Sequence, residues 1–238
     1  MKSYITGLTL AALAASIQIS PAAEISGKVK LKGTPKPEIP IDLGPICGKI
    51  HEGPATTRHY VMGADHGLAN VFVYIKEGAK PTPPKGEAPV LDQKGCMYEP
   101  YVMGVVTGQK YKIRNSDATL HNVHATPKVN AEFNFAQPIQ GQVTEKSFDK
   151  SEILVRMMCN VHGWMFAYIG VVDHPYFAVT DKDGSFKIPD LPAGTYTIEA
   201  FHQKIGIKGA KTQQITVGAA DKKTADFELE VPPPAPAP

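Results

Sequence analysis

Cysteine is scarce in this chain of 238 residues: there are three, an odd number, so no disulfide framework can pair them all. An excess of charge of one sign is lacking too. Lys and Arg number 25 against 23 Asp and Glu, a formal net charge of +2, and nothing in that balance calls for nucleic acid. Helical periodicity is nearly absent, which excludes a helical bundle and leaves β-structure to build the core. Beyond the N-terminal stretch no apolar run approaches the ~20 residues of a membrane helix. No Met-rich or His-rich tract of the kind that exchanges metal occurs.

The N-terminus has its own character. Met1-Lys2-Ser3, an apolar run from Ile5 to Ile17 and the small residues Ser20-Pro21-Ala22-Ala23 read as a secretory signal over residues 1–23. The expected product is a periplasmic or secreted protein with no membrane span after signal removal. Losing that segment removes one Lys and no acid, so the formal balance becomes 24 − 23 = +1.

The remainder of the chain is a series of short alternating runs separated by Gly, Pro, Asn and Asp. Ile25 to Leu31, Asn70 to Ile75 and Gln109 to Arg114 are the first three, and the pattern predicts an all-β protein. The long, irregular, Pro- and Gly-rich segment from Gly33 to Leu68 is expected to be ordered loop with room for a short strand, with His51, His59 and His66 as solvated residues of it.

The chemistry concentrates in Cys159-Asn160-Val161-His162-Gly163-Trp164-Met165 and in Leu120-His121-Asn122-Val123-His124. A thiolate, two imidazoles and a thioether are the donor set of a mononuclear electron-transfer copper, with the Met long and weak on the axis. Three donors fall in one short loop, and the fourth comes from a distant β-segment. If Cys159 is a ligand, Cys47 and Cys96 are left as the one internal disulfide. The alternatives are two unpaired thiols, or a Cys96–Cys159 bond and no copper site.

From Val90 to Val172 the chain resembles the cupredoxins, the blue copper proteins such as plastocyanin and amicyanin. Tyr98-Glu99-Pro100, Val105-Val106-Thr107-Gly108, Asn115-Ser116-Asp117 and His121-Asn122-Val123 carry the likeness, and the Cys159, His162, Met165 spacing matches a short amicyanin-like loop. The resemblance implies a Greek-key β-sandwich holding one type 1 copper through His121, Cys159, His162 and Met165. It also implies that the Asn122 backbone N–H bonds the Cys sulfur. His124 competes for the first position, but 121 and 124 point to opposite faces of a strand, and the Asn that comes next favours His121. Two residues depart from the family pattern: Met157 stands where an aromatic is frequent, and Val161 where a Pro is frequent. Met157 and Met158 are expected on the core and the strand surface. The dinuclear copper centre of terminal oxidases needs a second Cys that this loop lacks.

After Val172 the pattern changes. Phe177 to Ile188 reads as a hairpin turning at Asp183-Gly184, too poor in spaced carboxylates for a calcium loop, and Leu191 to Ala200 as the next turn and strand. This part resembles the carboxypeptidase regulatory-like module, a small Ig- or transthyretin-like β-sandwich. That module also has strands like Ile25-Ser26-Gly27-Lys28-Val29 and Asn70-Val71-Phe72-Val73. The expected organisation is a discontinuous host, residues 24–87 and 173–231, with the cupredoxin part at 88–172 inserted in it rather than merely followed by it. The Pro- and Gly-rich run Lys80 to Pro89 is the entry point, and residues 232–238 form a Pro/Ala tail with nothing to bury.

The function expected from the site is one-electron transfer by copper, without enzymatic turnover. A redox protein would dock briefly at the His162 edge, on Gly163, Trp164 and Phe166, although Trp164 also suits ordinary packing. Two other readings compete: copper binding and delivery, and an extracellular interaction module in which the sandwich binds a partner such as carbohydrate.

Overall fold

The computed structural model describes residues 22–233, so residues 1–21 of the segment expected to be a signal and residues 234–238 of the Pro/Ala tail lie outside the described residues. In chain order the strands are β1 (Ala23–Lys32), β2 (Phe72–Glu77), β3 (Val90–Lys94), β4 (Met97–Glu99), β5 (Val102–Val106), β6 (Tyr111–Asn115), β7 (His121–Thr126), β8 (Phe133–Gln137) and β9 (Val143–Lys146). They continue with β10 (Glu152–Met158), β11 (Phe166–Val172), β12 (Phe177–Val179), β13 (Ser185–Leu191), β14 (Gly194–Phe201), β15 (Lys211–Val217), β16 (Lys222–Thr224) and β17 (Phe227–Glu230). The protein is all-β, as its alternating runs predict. In β6 and β17, for instance, every second residue is buried, which places one face of each strand on a core.

The strands form two pairs of facing sheets. In one pair, β13-β1-β16, with β17 also parallel to β1, faces β12-β2-β14-β15. Between them Ile25, Val29, Val71, Val73, Ile188 and Ile198 make the core. In the other pair, β5-β11-β10-β7-β8 faces β4-β3-β6-β9 around Leu91, Tyr98, Tyr111, Val123, Met157 and Ile169. The first pair draws its strands from both ends of the chain, and the second from the middle. The two crossings between the pairs lie together, where the Thr82 N–H donates to the Asp173 carbonyl at 2.8 Å.

A third apolar cluster joins the two pairs. Phe72 and Tyr74 on β2 pack with Tyr101, Val102 and Val172, and Ile153, Leu154, Tyr168 and Phe177 lie against them. That explains why all four residues Phe72–Ile75 are buried: Val73 and Ile75 point into the first core, and Phe72 and Tyr74 point at the second pair of sheets. Gly104 and Gly170 are direct partners in the parallel β5–β11 ladder. They form a flat patch on which the Phe177 and Phe72 rings rest, so closely that a Cβ at either position would lie 2.2 or 2.4 Å from a ring carbon.

Three local expectations are corrected. The segment from Gly33 to Leu68 is not loop alone: it contains a short helix, α1 (Gly44–Ile50), started by Pro45 and burying Cys47. Its seven residues are too few for a periodic signal, and Cys47 is the one of them that is buried. His66 is exposed, but His51 is half-buried with its Nδ1 2.7 Å from the Gly95 carbonyl. Finally, Phe177 to Ile188 is not a paired hairpin: β12 pairs with β2 and β13 with β1. The turn at Asp183-Gly184, where Asp181 Oδ1 accepts the N–H groups of Asp183 and Ser185, carries the chain from one sheet to the facing one. β13, seven residues long, finds in the ten-residue β1 a far longer partner than the three-residue β12 could offer.

Candidate metal centre

The centre lies at the end of the second sandwich, where β7 begins and β10 ends. His121 opens β7 and is fully buried, whereas His124 points the other way. The His124 Nε2 is 2.7 Å from Glu132 Oε1 and its Nδ1 3.2 Å from Asn160 Oδ1. The opposite-face argument thus places His121 inward. β10 delivers Cys159 one residue past its end, and the loop after it closes on itself: the Cys159 N–H donates to the Met165 carbonyl at 3.2 Å, and the Met165 N–H to the His162 carbonyl at 2.9 Å. Met165 is fully buried beneath this loop, and the His162 ring stands half-buried at its rim.

Donor atoms of His121, Cys159 and His162 lie within 4.8 Å of one another. The His121 Nδ1 is 3.1 Å from the His162 Nδ1, which in turn is 3.7 Å from the Cys159 Sγ. The Asn122 N–H donates to that sulfur at 3.3 Å, and the His162 N–H does so at 3.4 Å. Asn122 also ties β7 to the Cys159–Met165 loop, because its Oδ1 accepts the Asn160 N–H at 3.2 Å. Burial opposes ionisation of the thiol. The His121 ring and the N–H groups of Asn122, His162 and Val161 outweigh it, and hold the Cys159 thiol below its usual range. Burial and the neighbouring His121 push the His162 imidazole toward its neutral form. A thiolate and a neutral imidazole are the states in which these groups bind metal.

One contributor is missing from the motif reading. Asp117 Oδ2 is 2.9 Å from the His121 Nε2. Burial raises the carboxyl, but bonds from His121 and from the Cys96 and Gly95 N–H groups keep it below the usual carboxylate range. An ionised carboxylate only accepts, so the His121 Nε2 carries a proton and its Nδ1 is turned toward Cys159 and His162. Asp117 is itself placed by Asn115, whose Oδ1 accepts the Asp117 N–H at 2.9 Å while its Nδ2 donates to the Thr119 and Gln137 carbonyls at 2.9 Å. The spacing Asp117 to His121 in a turn leading into a strand was the available signal.

Cys47 and Cys96 form a disulfide, which attaches α1 to the turn before β4. Cys96 sits against the centre. Its N–H and that of Gly95 donate to Asp117 at 2.8 and 2.7 Å, and its carbonyl accepts the Trp164 Nε1–H at 3.0 Å. Trp164 is thereby anchored as well as partly exposed, with its ring 5.3 Å from that of His162. Gly163 is exposed, and with Trp164 and Phe166 it lines a small hollow whose other wall is Thr56, Thr57, Arg58 and His59 from the long N-terminal segment. Phe166 also lies under the Arg156 guanidinium, 4.4 Å from the ring centre.

Solved structures similar to part of this chain include a point mutant of amicyanin in its oxidised state, 26% identical over 35% of this chain and 81% of the amicyanin, with a TM-score of 0.32. A purple cupredoxin from Nitrosopumilus maritimus is 20% identical over 32% of this chain and 81% of its own, at 0.28. The copper-containing nitrite reductase of Thermus scotoductus SA-01 is 20% identical over 42% of this chain and 25% of its own, at 0.32. No curated protein matches the chain. Residues 167–230, from β11 to the end of β17, match the family model of the carboxypeptidase regulatory-like domain.

Proposed function

We propose that this protein is an extracytoplasmic electron carrier that holds one type 1 copper through His121, Cys159, His162 and Met165. The observation that carries the reading is the convergence of two imidazole nitrogens and one thiol in a buried pocket, with the Asn122 N–H already directed at the sulfur. The donor set fits the metal: it is soft and water-poor, with the His162 imidazole held toward its neutral form and the His121 ring oriented by Asp117. Copper bound there supplies one-electron chemistry between Cu(I) and Cu(II). The protein's part is rigidity. The closed Cys159–Met165 loop and the Asp117–His121 bond keep the donors where they are in either oxidation state, so little has to rearrange. His162 alone of these donors reaches the surface, and its edge beside Gly163, Trp164 and Phe166 is where a redox protein would dock briefly. Four protein donors leave no position for a substrate, which favours a carrier over an enzyme.

The copper-bearing sandwich, residues 88–172, is read as an insertion in a host formed by 24–87 and 173–231. The adjacent crossings at Thr82 and Asp173 support this. The amino-terminal segment is read as a secretory signal, and no described helix is long and apolar enough to cross a membrane.

Addition of Cu(II) to the purified chain is expected to produce an intense thiolate-to-copper charge-transfer band in the visible. Cys159→Ser is expected to abolish the band without unfolding the chain, because a hydroxyl cannot donate charge as a thiolate does. A colourless wild-type complex, or a variant that keeps the colour, overturns the assignment.

A further inference from the structure

A second soft-donor cluster lies directly against the centre. The sulfurs of Cys47 and Cys96 and a ring nitrogen of His162 are within 4.8 Å of one another, and the two cysteines are 2% and 0% exposed. While the disulfide is closed, neither sulfur is a thiolate and the cluster cannot hold a metal. Every chain begins as a dithiol, however. In that state the same three groups are two thiols and an imidazole, a dry set suited to Cu(I). The reach is adequate. Metal–thiolate bonds of about 2.3 Å put two sulfurs up to ~4.6 Å apart, and side chains on Cα atoms 5.7 Å apart attain that by rotation. The Gly95–Cys96 turn is held by Asp117, whereas Cys47 rides on the short helix of the irregular segment, so Cys47 is the partner free to adjust.

We propose that the reduced chain binds Cu(I) between Cys47, Cys96 and His162, and that the ion then passes to Cys159 and His121 through the shared His162 as the disulfide closes. Each of the two thiols releases a proton when it binds the ion. On transfer the Cys159 thiol releases its proton, and Cys47 and Cys96 are left as free thiolates. Exchange with an external disulfide then forms the Cys47–Cys96 bond. The external disulfide takes up two electrons and two protons and leaves as two thiols, while the copper stays Cu(I) throughout. The transfer half rests on the copper reading above; the acceptor half does not.

The acceptor site is tested in the full-length Cys159→Ser chain, which removes the other thiol. The chain is reduced with dithiothreitol and freed of it without air. Its free thiols are counted, its fold is followed by circular dichroism, and Cu(I) is titrated against bicinchoninate. The expected result is one Cu(I) held per folded dithiol chain and none by the disulfide form. Adding Cys47→Ser on that background should weaken binding by about 100-fold or more, since losing even an outer partner of a metal site costs up to that much. No retention by the reduced chain, equal retention by the disulfide form, resistance of the bond to reduction, or unfolding on reduction overturns the site. For the transfer, wild type loaded with Cu(I) while reduced is then given oxidised glutathione. Loss of its thiols with the copper retained is expected, against release from Cys159→Ser. Release from wild type overturns the transfer. The Cu(II) colour of the oxidised wild type reports separately on the Cys159 centre.

Discussion

His121 and His124 stand on one strand and have unlike surroundings, which makes them a sharp pair at the residue scale. His121 is fully buried beside Cys159, and His124 spends both ring nitrogens on Glu132 and Asn160. His121→Ala is expected to abolish the charge-transfer colour, and His124→Ala to leave it nearly intact. Equal loss in both spectra would refute the assignment. A third histidine, His202, is buried with neither ring nitrogen hydrogen-bonded, its ring stacked 5.4 Å from Tyr60. Burial lowers its pKa from 6.5 to about 4, with Lys204 and His59 acting in the same direction and Glu38 against. The neutral form is therefore favoured on folding. That contribution is complete above the unfolded value of 6.5 and is lost as pH falls through about 4. Urea unfolding at pH 7 and at pH 4 should show wild type losing about 3 kcal/mol more than His202→Leu. Parallel losses in the two proteins would mean that His202 is protonated as readily folded as unfolded.

At the scale of elements, the β5–β11 ladder is the joint of the molecule. Its paired Gly104 and Gly170 accept the rings of Phe177 and Phe72 from the first sandwich. Gly170→Ala would set a methyl 2.4 Å from a carbon of the Phe72 ring. A ring packed between two cores has little room to retreat, so the expected cost is about 1–3 kcal/mol, read as a lower denaturant midpoint with the copper band unchanged. An unchanged midpoint would show that the two sandwiches are not mechanically coupled there. Alternation made the strands legible: Tyr111 to Asn115 and Phe227 to Glu230 bury every second residue, as their sequences imply. It could not assign a strand to a sheet. Phe177 to Ile188 looks like a hairpin because Asp183-Gly184 is a good turn. Yet the same turn serves a crossing between sheets, and the partners β1 and β2 are remote in sequence.

Across the whole molecule, the strands after Val172 depend on strands before Lys80. β13, β16 and β17 all pair with β1, and β12 and β14 pair with β2. A fragment of residues 173–231 would leave those edges unpaired and half its core facing water. It is expected to show no cooperative unfolding transition by calorimetry, whereas residues 88–175 should retain copper binding with reduced stability. A compact, cooperatively melting C-terminal fragment would restore two domains in series.

The amino-acid sequence by itself determined the all-β class and marked His121, Cys159, His162 and Met165 as the donors proposed here, because strand periodicity and the Cys159, His162, Met165 spacing are local properties. It also narrowed the disulfide to Cys47 and Cys96 on the condition that Cys159 was otherwise engaged. Tertiary structure alone decided the rest. Asp117 became the support of His121 only when the turn before β7 folded under the Gly95–Cys96 amides. The disulfide came to lie against His162 only when α1, which has no periodic signature, docked on the second sandwich. Gly104 and Gly170, unremarkable as single letters, became a seat for two rings only once β5 and β11 were laid side by side. Contacts between residues far apart in the chain carry no local pattern, since they are set by which surfaces the folded elements bring together.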